Sequence, residues 1–200
     1  TCCGQFAFNA GAWGAARRLR RHFLEVFANA EVILCPGASC ILTVRHHYAR
    51  LGGTRGEQEL LSRVQTRAVE FSEWLASRGP LGLTWRLPHR VLWQQSCSAR
   101  QLGILPQIRE ILRGIEGLDW CTVPESYACC GFGGLFALKQ PHLAQAIGQA
   151  YLMAAAAAGA TALVSSDTSC LLHLQGLLSA LDLPWPTWHL VELLAQAQTT

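Results

Sequence analysis

Cys129-Cys130-Gly131-Phe132-Gly133-Gly134 sets two adjacent thiols at the mouth of a glycine-rich turn. Single cysteines stand at long range on either side: Cys97 lies 32 positions before Cys129, and Cys170 lies 40 positions after Cys130. The chain opens on the same device, with Cys2-Cys3-Gly4 followed by Cys40, 37 positions after Cys3. A Cys-Cys-Gly that occurs twice in 200 residues, each time with a distant further cysteine, indicates a duplicated metal site. Thiolates are soft ligands that suit zinc and iron–sulfur clusters. Adjacent cysteines fit one small ion badly, because the chain is stiff over a single peptide, but they can grip two corners of a larger multi-iron cluster. An iron–sulfur cluster, with 4Fe-4S as the expected form, is therefore the first reading, and zinc at one or both sets of thiols is the alternative. Glycines directly after the pair let the backbone approach the cluster at positive φ, where their N–H groups can donate to sulfur and tune its potential.

The remaining cysteines and the composition bound this reading. Nine cysteines could make a disulfide framework, but no secretory segment is evident and the chain is too long to need such staples. Cys35 and Cys121 fall outside the repeat, in apolar runs, and read as buried thiols acting as small hydrophobes. Half of the residues are hydrophobic, enough for a substantial core in one or two units. The net charge is +3, and Arg17, Arg18, Arg20, Arg21 and His22 crowd one helical stretch that reads as a solvated face. No aromatic-interleaved basic strip points to nucleic acid, and no apolar run reaches the length of a membrane span. The expected compartment is the cytoplasm. The chain begins at Thr1 without a methionine and drops straight into a motif, so a missing N-terminal segment is also expected.

Taken in order, a helix starting near Asn9 or Gly11 is expected to turn Leu19, Phe23, Val26 and Phe27 to one face. Glu31–Cys35 reads as a strand, followed by a turn carrying Cys40 and a helix through Tyr48. Residues 58–77 read as one long amphipathic helix with Leu60, Leu61, Val64, Ala68, Phe71 and Leu75 inward. The break at Gly79-Pro80 divides the chain into halves 1–80 and 81–200. In the second half, strands are expected at 90–94, 118–123, 162–165 and 187–190. Helices are expected at 106–114 and 141–158, and a last one carries Leu193 and Leu194.

The halves align: Cys-Cys-Gly, a helix and AEVILCPGASC in one match Cys-Cys-Gly, a helix and ATALVSSDTSC in the other. Strands alternating with helices imply an α/β fold, here two pseudo-repeated halves with short parallel sheets flanked by helices. In such sheets sites gather beyond the carboxyl ends of the strands, where these cysteines fall.

TCCGQFAFNAG, CPGASC with VRHHY, SCSARQLGI, CCGFGG and DTSCLLHLQG together resemble the cysteine-rich CCG-domain family. Within it the likeness is to iron–sulfur subunits of bacterial lactate utilization, and the catalytic subunits of heterodisulfide reductases share the double motif. The resemblance covers essentially the whole chain. It implies a cytoplasmic iron–sulfur oxidoreductase subunit that transfers electrons during oxidation of L-lactate to pyruvate. It also implies partner subunits, namely a ferredoxin-like iron–sulfur subunit and a third subunit, without which the chain is not active. Carried over residue by residue, Cys97, Cys129, Cys130 and Cys170 form a complete four-thiol set, while Cys2, Cys3 and Cys40 form a second set that in the family takes a further cysteine upstream of Thr1. Gln94-Gln95 stand where the family often has His-Asp, which weakens an acid–base role there but not ligation. Reductase relatives end each half in Cys-x-x-Cys; here Thr43 and His173 occupy the last positions, which argues against five-thiol clusters. His173 reads as a helix-surface or supporting group rather than a ligand, Asp167 as a turn or cap residue, and His46 and His47 as structural. A heterodisulfide-type thiol redox subunit and a zinc-stabilised interaction module are the alternative functions.

Overall fold

A computed structural model describes residues 1–79 and 84–199. Two short elements lead from the first Cys-Cys-Gly: helix α1 (Gln5–Asn9) and helix α2 (Trp13–Val26). Strand β1 (Ile33–Cys35) then feeds a turn and helix α3 (Ala38–Leu42), which widens into a π-turn over Thr43–His47 and tightens over Tyr48–Leu51. Next come helix α4 (Arg55–Arg67), strand β2 (Ala68–Glu70) and helix α5 (Phe71–Ser77). The second stretch runs β3 (Thr84–Arg86), β4 (Arg90–Gln94), α6 (Cys97–Leu102) and α7 (Leu105–Arg113). After β5 (Ile115–Glu116) and β6 (Asp119–Cys121) come α8 (Leu135–Lys139), α9 (Pro141–Ala157) and β7 (Ala162–Ser165). The described chain closes with α10 (Thr168–Ala180), β8 (Thr187–His189), α11 (Leu190–Ala197) and β9 (Gln198–Thr199).

Among the described residues the strands form three sheets: a parallel β1-β2 pair, a parallel four-stranded sheet in the order β6-β4-β7-β8, and a small mixed sheet β5-β3-β9. The α/β class with short parallel sheets flanked by helices is as expected. Side chains alternate across the larger sheet. Val91, Trp93, Ala162 and Val164 enter one core with Ala38 and Leu75 from the first stretch, whereas Leu92 and Leu163 face a core that contains Cys130 and Cys170. A separate core gathers Phe23, Leu24, Ile33, Ile41, Tyr48 and Val64.

The internal duplication is visible in three dimensions. Cys40 and Cys170 each occupy the third position of the helix that follows a parallel strand. The neighbouring strands β2 and β8 end on Glu70 and His189, paired with Cys35 and Ser165. Each of these residues caps the next helix in the same way. Glu70 Oε2 accepts from Ser72 N–H at 2.6 Å, and His189 Nδ1 accepts from Val191 N–H at 3.2 Å. Glu73 and Glu192 reach back to the Glu70 and His189 N–H groups at 3.1 and 2.7 Å.

Four expectations need correction. The single helix over 58–77 is two helices with β2 between them, because Ala68–Glu70 take their hydrogen bonds from β1 instead of continuing the helix. The basic stretch is not a uniformly solvated face: Arg20 is 2% exposed, and its guanidinium donates to the carbonyls of Tyr48 and Gly52 while standing 3.7 Å from Glu57. Val26 is exposed, and Leu24 takes the inward place beside Phe23. The strand expected at 118–123 is present but shorter, as β6, and the separate two-residue strand β5 precedes it across Gly117, whose φ is +77°. The expected division at residues 80 and 81 lies outside the described residues. No helix among the described residues is long and apolar enough to cross a membrane.

Candidate metal centre

Strand β4 ends one turn before Cys97. Ser96 is the N-cap of α6, its hydroxyl accepting from Ala99 N–H at 3.1 Å, so Cys97 is delivered as the first residue of that helix. Arg100 of the same helix donates to the carbonyl of Ala128 and so ties α6 to the turn that enters Cys129-Cys130. On the other side of β4, a buried relay runs from Asp167 N–H to Ser165 Oγ (3.0 Å) and from that hydroxyl to Gln94 Oε1 (2.6 Å). Gln94 thus serves as a strut between the two strands whose ends carry Cys97 and Cys170.

Cys97, Cys129, Cys130 and Cys170 all line one cavity of about 160 Å³. Cys97 and Cys129 are exposed, while Cys130 and Cys170 are buried. The Cys130 thiol donates to Cys170 Sγ at 2.8 Å, and Gly131 N–H points at Cys129 Sγ at 3.3 Å. Gly131 has φ of +89°, and a Cβ there would collide with the carbonyl of Ala144 on α9. The glycine is therefore required twice, by its dihedral and by the approach of the helix. The adjacent Cys130 side chain and then burial push the Cys129 thiol upward, against the lowering by Gly131 N–H. For Cys130, the bond from Cys129 favours the thiolate, but the bond to Cys170 and burial outweigh it, and the thiol is raised. Such thiols keep their protons until a cation displaces them.

The first motif repeats this geometry. Gly4 N–H donates to Cys2 Sγ at 3.3 Å, and the Cys3 thiol donates to Cys40 Sγ at 3.3 Å. Tyr48, 2% exposed, fixes the turn by donating to the Cys3 carbonyl at 2.8 Å. Cys2, Cys3 and Cys40 line a cavity of about 320 Å³. The two cavities share a wall that includes Asn9, Ser39, Phe132, Asp167 and Ser169. Asp167 sits at its centre, accepting from Ser39 Oγ at 3.1 Å and from Ser169 Oγ at 2.9 Å, and burial lifts its carboxyl above the ordinary range. It is more than the turn residue expected, because its carboxyl joins the two cysteine-bearing helix starts.

Other candidates fall outside the cavities' chemistry. His173 Nε2 lies 3.3 Å from the Ala144 carbonyl and its ring packs on Phe132, a link between helices α9 and α10. His47 stacks on Phe8 with ring centroids 4.8 Å apart, and His46 is exposed. Thr43, at the position of a fifth thiol, spends its hydroxyl on the Ser39 carbonyl at 2.9 Å. Cys121 stays in β6, where burial raises its thiol. Cys35 differs from the expectation of a fully buried thiol: it is half-buried and its thiol donates to the Gly37 carbonyl at 4.0 Å.

The donor set tests which metal group these residues suit. Among the described residues, no three Cys, His, Asp or Glu side chains close round one point tightly enough to hold a single ion. Four thiols spread round one cavity, with a backbone N–H aimed at sulfur, instead suit a polynuclear cluster.

A family model described as a cysteine-rich domain, CCG, matches residues 1–45 and 91–175. Lactate utilization protein A 1 of Bacillus mycoides (strain KBAB4) is 27% identical over 197 residues, covering 97% of this chain and 80% of that protein. Lactate utilization protein A 2 of Bacillus cereus (strain Q1) and of Bacillus anthracis (strain A0248) are each 29% identical over 201 residues, covering 98% of this chain and 82% of theirs. Both matched segments carry the cysteines that line the two cavities, and the chain belongs to the cysteine-rich CCG domain family.

Proposed function

We propose that this chain is an iron–sulfur electron-transfer subunit of an oxidoreductase that takes electrons from L-lactate, yielding pyruvate. The observation that carries the reading is the convergence of Cys97, Cys129, Cys130 and Cys170 on one cavity, with Gly131 N–H directed at sulfur. The names of the relatives, which place those proteins in lactate utilization, supply the substrate. When bound, a cluster of the 4Fe-4S type would accept and release single electrons. The four cysteines would hold it, and the Gly131 N–H would stabilise the Cys129 thiolate. Burial of Cys130 and Cys170 would keep water from their thiolates, while exposed Cys97 and Cys129 would leave the site open to a redox partner. Cys2, Cys3 and Cys40 make the corresponding set in the other CCG half, so the proposed units are 1–80 and 81–200. In this reading substrate oxidation is shared with a ferredoxin-like iron–sulfur subunit and a third subunit.

The test is iron, sulfide and zinc content of anaerobically purified protein, with its visible and electron paramagnetic resonance spectra, for wild type, Cys129→Ser and Cys121→Ser. The expected result is a brown protein with matched iron and sulfide, of which about four irons are lost in Cys129→Ser and none in Cys121→Ser. Lactate-dependent reduction of the chromophore after mixing with the partner subunits tests the substrate. Colourless protein with stoichiometric zinc and no sulfide overturns the electron-transfer reading.

A further inference from the structure

A further cavity, of about 270 Å³, lies beyond the carboxyl ends of β4 and β6 and is bounded by side chains of α6, α7 and α9. It shares Ala128, the residue before Cys129, with the cavity of the second thiol set. Ligand sites of parallel sheets gather at this edge.

The lining is rich in donors and poor in acceptors. Arg100 of α6 and Arg109 of α7 both face the cavity. Arg100 donates to the Ala128 carbonyl, and neither guanidinium pairs with a carboxylate among the described residues. Glu125, the acidic side chain of the lining, is exposed and bridges to neither arginine. Trp93 is 1% exposed, yet its indole N–H is buried with no partner among the described residues. Tyr151, buried on α9, adds a phenol hydroxyl. An unpaired buried donor is costly, and an acceptor brought by a ligand removes that cost.

Guanidinium and indole N–H groups donate and cannot accept, so the complementary ligand is an anion rich in acceptors. Guanidinium forks match the two oxygens of a carboxylate, and the neutral donors of Trp93 and Tyr151 remain for a further oxygen. Two guanidiniums against the Glu125 carboxylate leave one surplus positive charge, which a monocarboxylate balances and a phosphate dianion exceeds. The volume falls just below the range of about 300–1,000 Å³ that takes drug-sized ligands, which suits a small metabolite and not a nucleotide.

We infer that this cavity binds a small monocarboxylate of the 2-hydroxy or 2-oxo acid class, its carboxylate held by Arg100 and Arg109 and its second oxygen by Trp93 and Tyr151. The choice of class rests on the function proposed above, to which the inference adds a place for the substrate or product outside the thiol cavities. A ligand seated there is separated from Cys129 by the backbone of Ala128.

The experiment is calorimetric titration of anaerobically purified wild type, Arg109→Gln, Trp93→Phe and Arg18→Gln with L-lactate, pyruvate, propionate and inorganic phosphate. Iron and sulfide are measured on the same samples. Circular dichroism melts check folding, and Tyr151→Phe takes the place of Trp93→Phe if that variant unfolds. The expected result is saturable binding of lactate or pyruvate that weakens about tenfold or more in Arg109→Gln, about threefold or more in the neutral-donor variant, and not at all in Arg18→Gln. Propionate, which lacks the second oxygen, should bind more weakly than either. No binding up to about 10 mM, above the ordinary KM range, overturns the inference, as does binding that Arg109→Gln leaves intact. Propionate equal to lactate, or phosphate tighter than both acids, overturns the assigned class. Iron and sulfide without arginine-dependent binding remove this pocket and leave the electron-transfer reading standing. Arginine-dependent binding in protein without iron or sulfide does the reverse.

Discussion

The two Cys-Cys-Gly motifs have the same sequence and different surroundings, which makes Gly131→Ala and Gly4→Ala a direct test of what shapes the sites. Both glycines have positive φ, +89° at Gly131 and +76° at Gly4. An L-residue held there costs about 1–2 kcal/mol in either case. The second contribution differs. A Cβ on Gly4 meets Leu19 Cβ at 3.1 Å, a contact that a shift of a few tenths of an ångström in α2 relieves. A Cβ on Gly131 runs into the Ala144 carbonyl and comes within 3.1 Å of Gly148 N, both backbone atoms of α9, and cannot be accommodated without moving that helix. Overpacking of that kind adds about 1–3 kcal/mol. Gly131→Ala is therefore expected to lower stability by about 2–5 kcal/mol and Gly4→Ala by about 1–2 kcal/mol. Urea unfolding of the apo-protein measures both from the midpoint at constant m-value. Equal costs for the two variants, or a cost under about 1 kcal/mol at Gly131, would refute the argument that α9 presses on the second turn.

Three further outcomes follow from buried polar groups. Arg20→Met strips the donor from the Tyr48 and Gly52 carbonyls and leaves a hole beside the residue that fixes Cys3; thermal or urea unfolding should show a loss of about 2–4 kcal/mol, against almost none for exposed Arg18→Met. Burial raises the Glu70 carboxyl above its ordinary 4.5, so the folded state keeps that proton to higher pH than the unfolded chain. The resulting stability is fully present below the unfolded value and is lost as pH rises through the folded one. Glu70→Gln should flatten that part of the slope in urea midpoints taken from pH 4 to 8, and an unchanged slope counts against it. Tyr48→Phe removes the bond to the Cys3 carbonyl and should cost about 1 kcal/mol while loosening the first set, read as faster alkylation of Cys3.

Much of the fold was legible in advance because it rests on local chemistry. Cys-Cys-Gly twice, the strands ending before Cys40, Cys97 and Cys170, and the helix over Pro141–Ala157 all follow from glycine placement, apolar runs and alanine-rich spacing within one segment. The interruption of the helix by β2 was not legible. Ala68-Val69-Glu70 fits a helical pattern equally well, and only the edge of β1, more than thirty residues earlier, offers hydrogen bonds that favour the extended form.

The same distinction separates what could be known of the site. Residue type and spacing alone determined that the chain carries two sets of thiols after strands, because soft ligands and glycine turns are properties of short motifs. Which cysteines meet was decided only by tertiary structure. The Cys3 thiol meets Cys40 across 37 residues, Arg20 is buried because the Tyr48–Gly52 turn leaves carbonyls facing α2, and Asp167 joins the two cavities because Ser39 lies across from it at a separation of 128 residues. Contacts of that range depend on how sheets and helix starts pack, and no pattern confined to one stretch of chain encodes them.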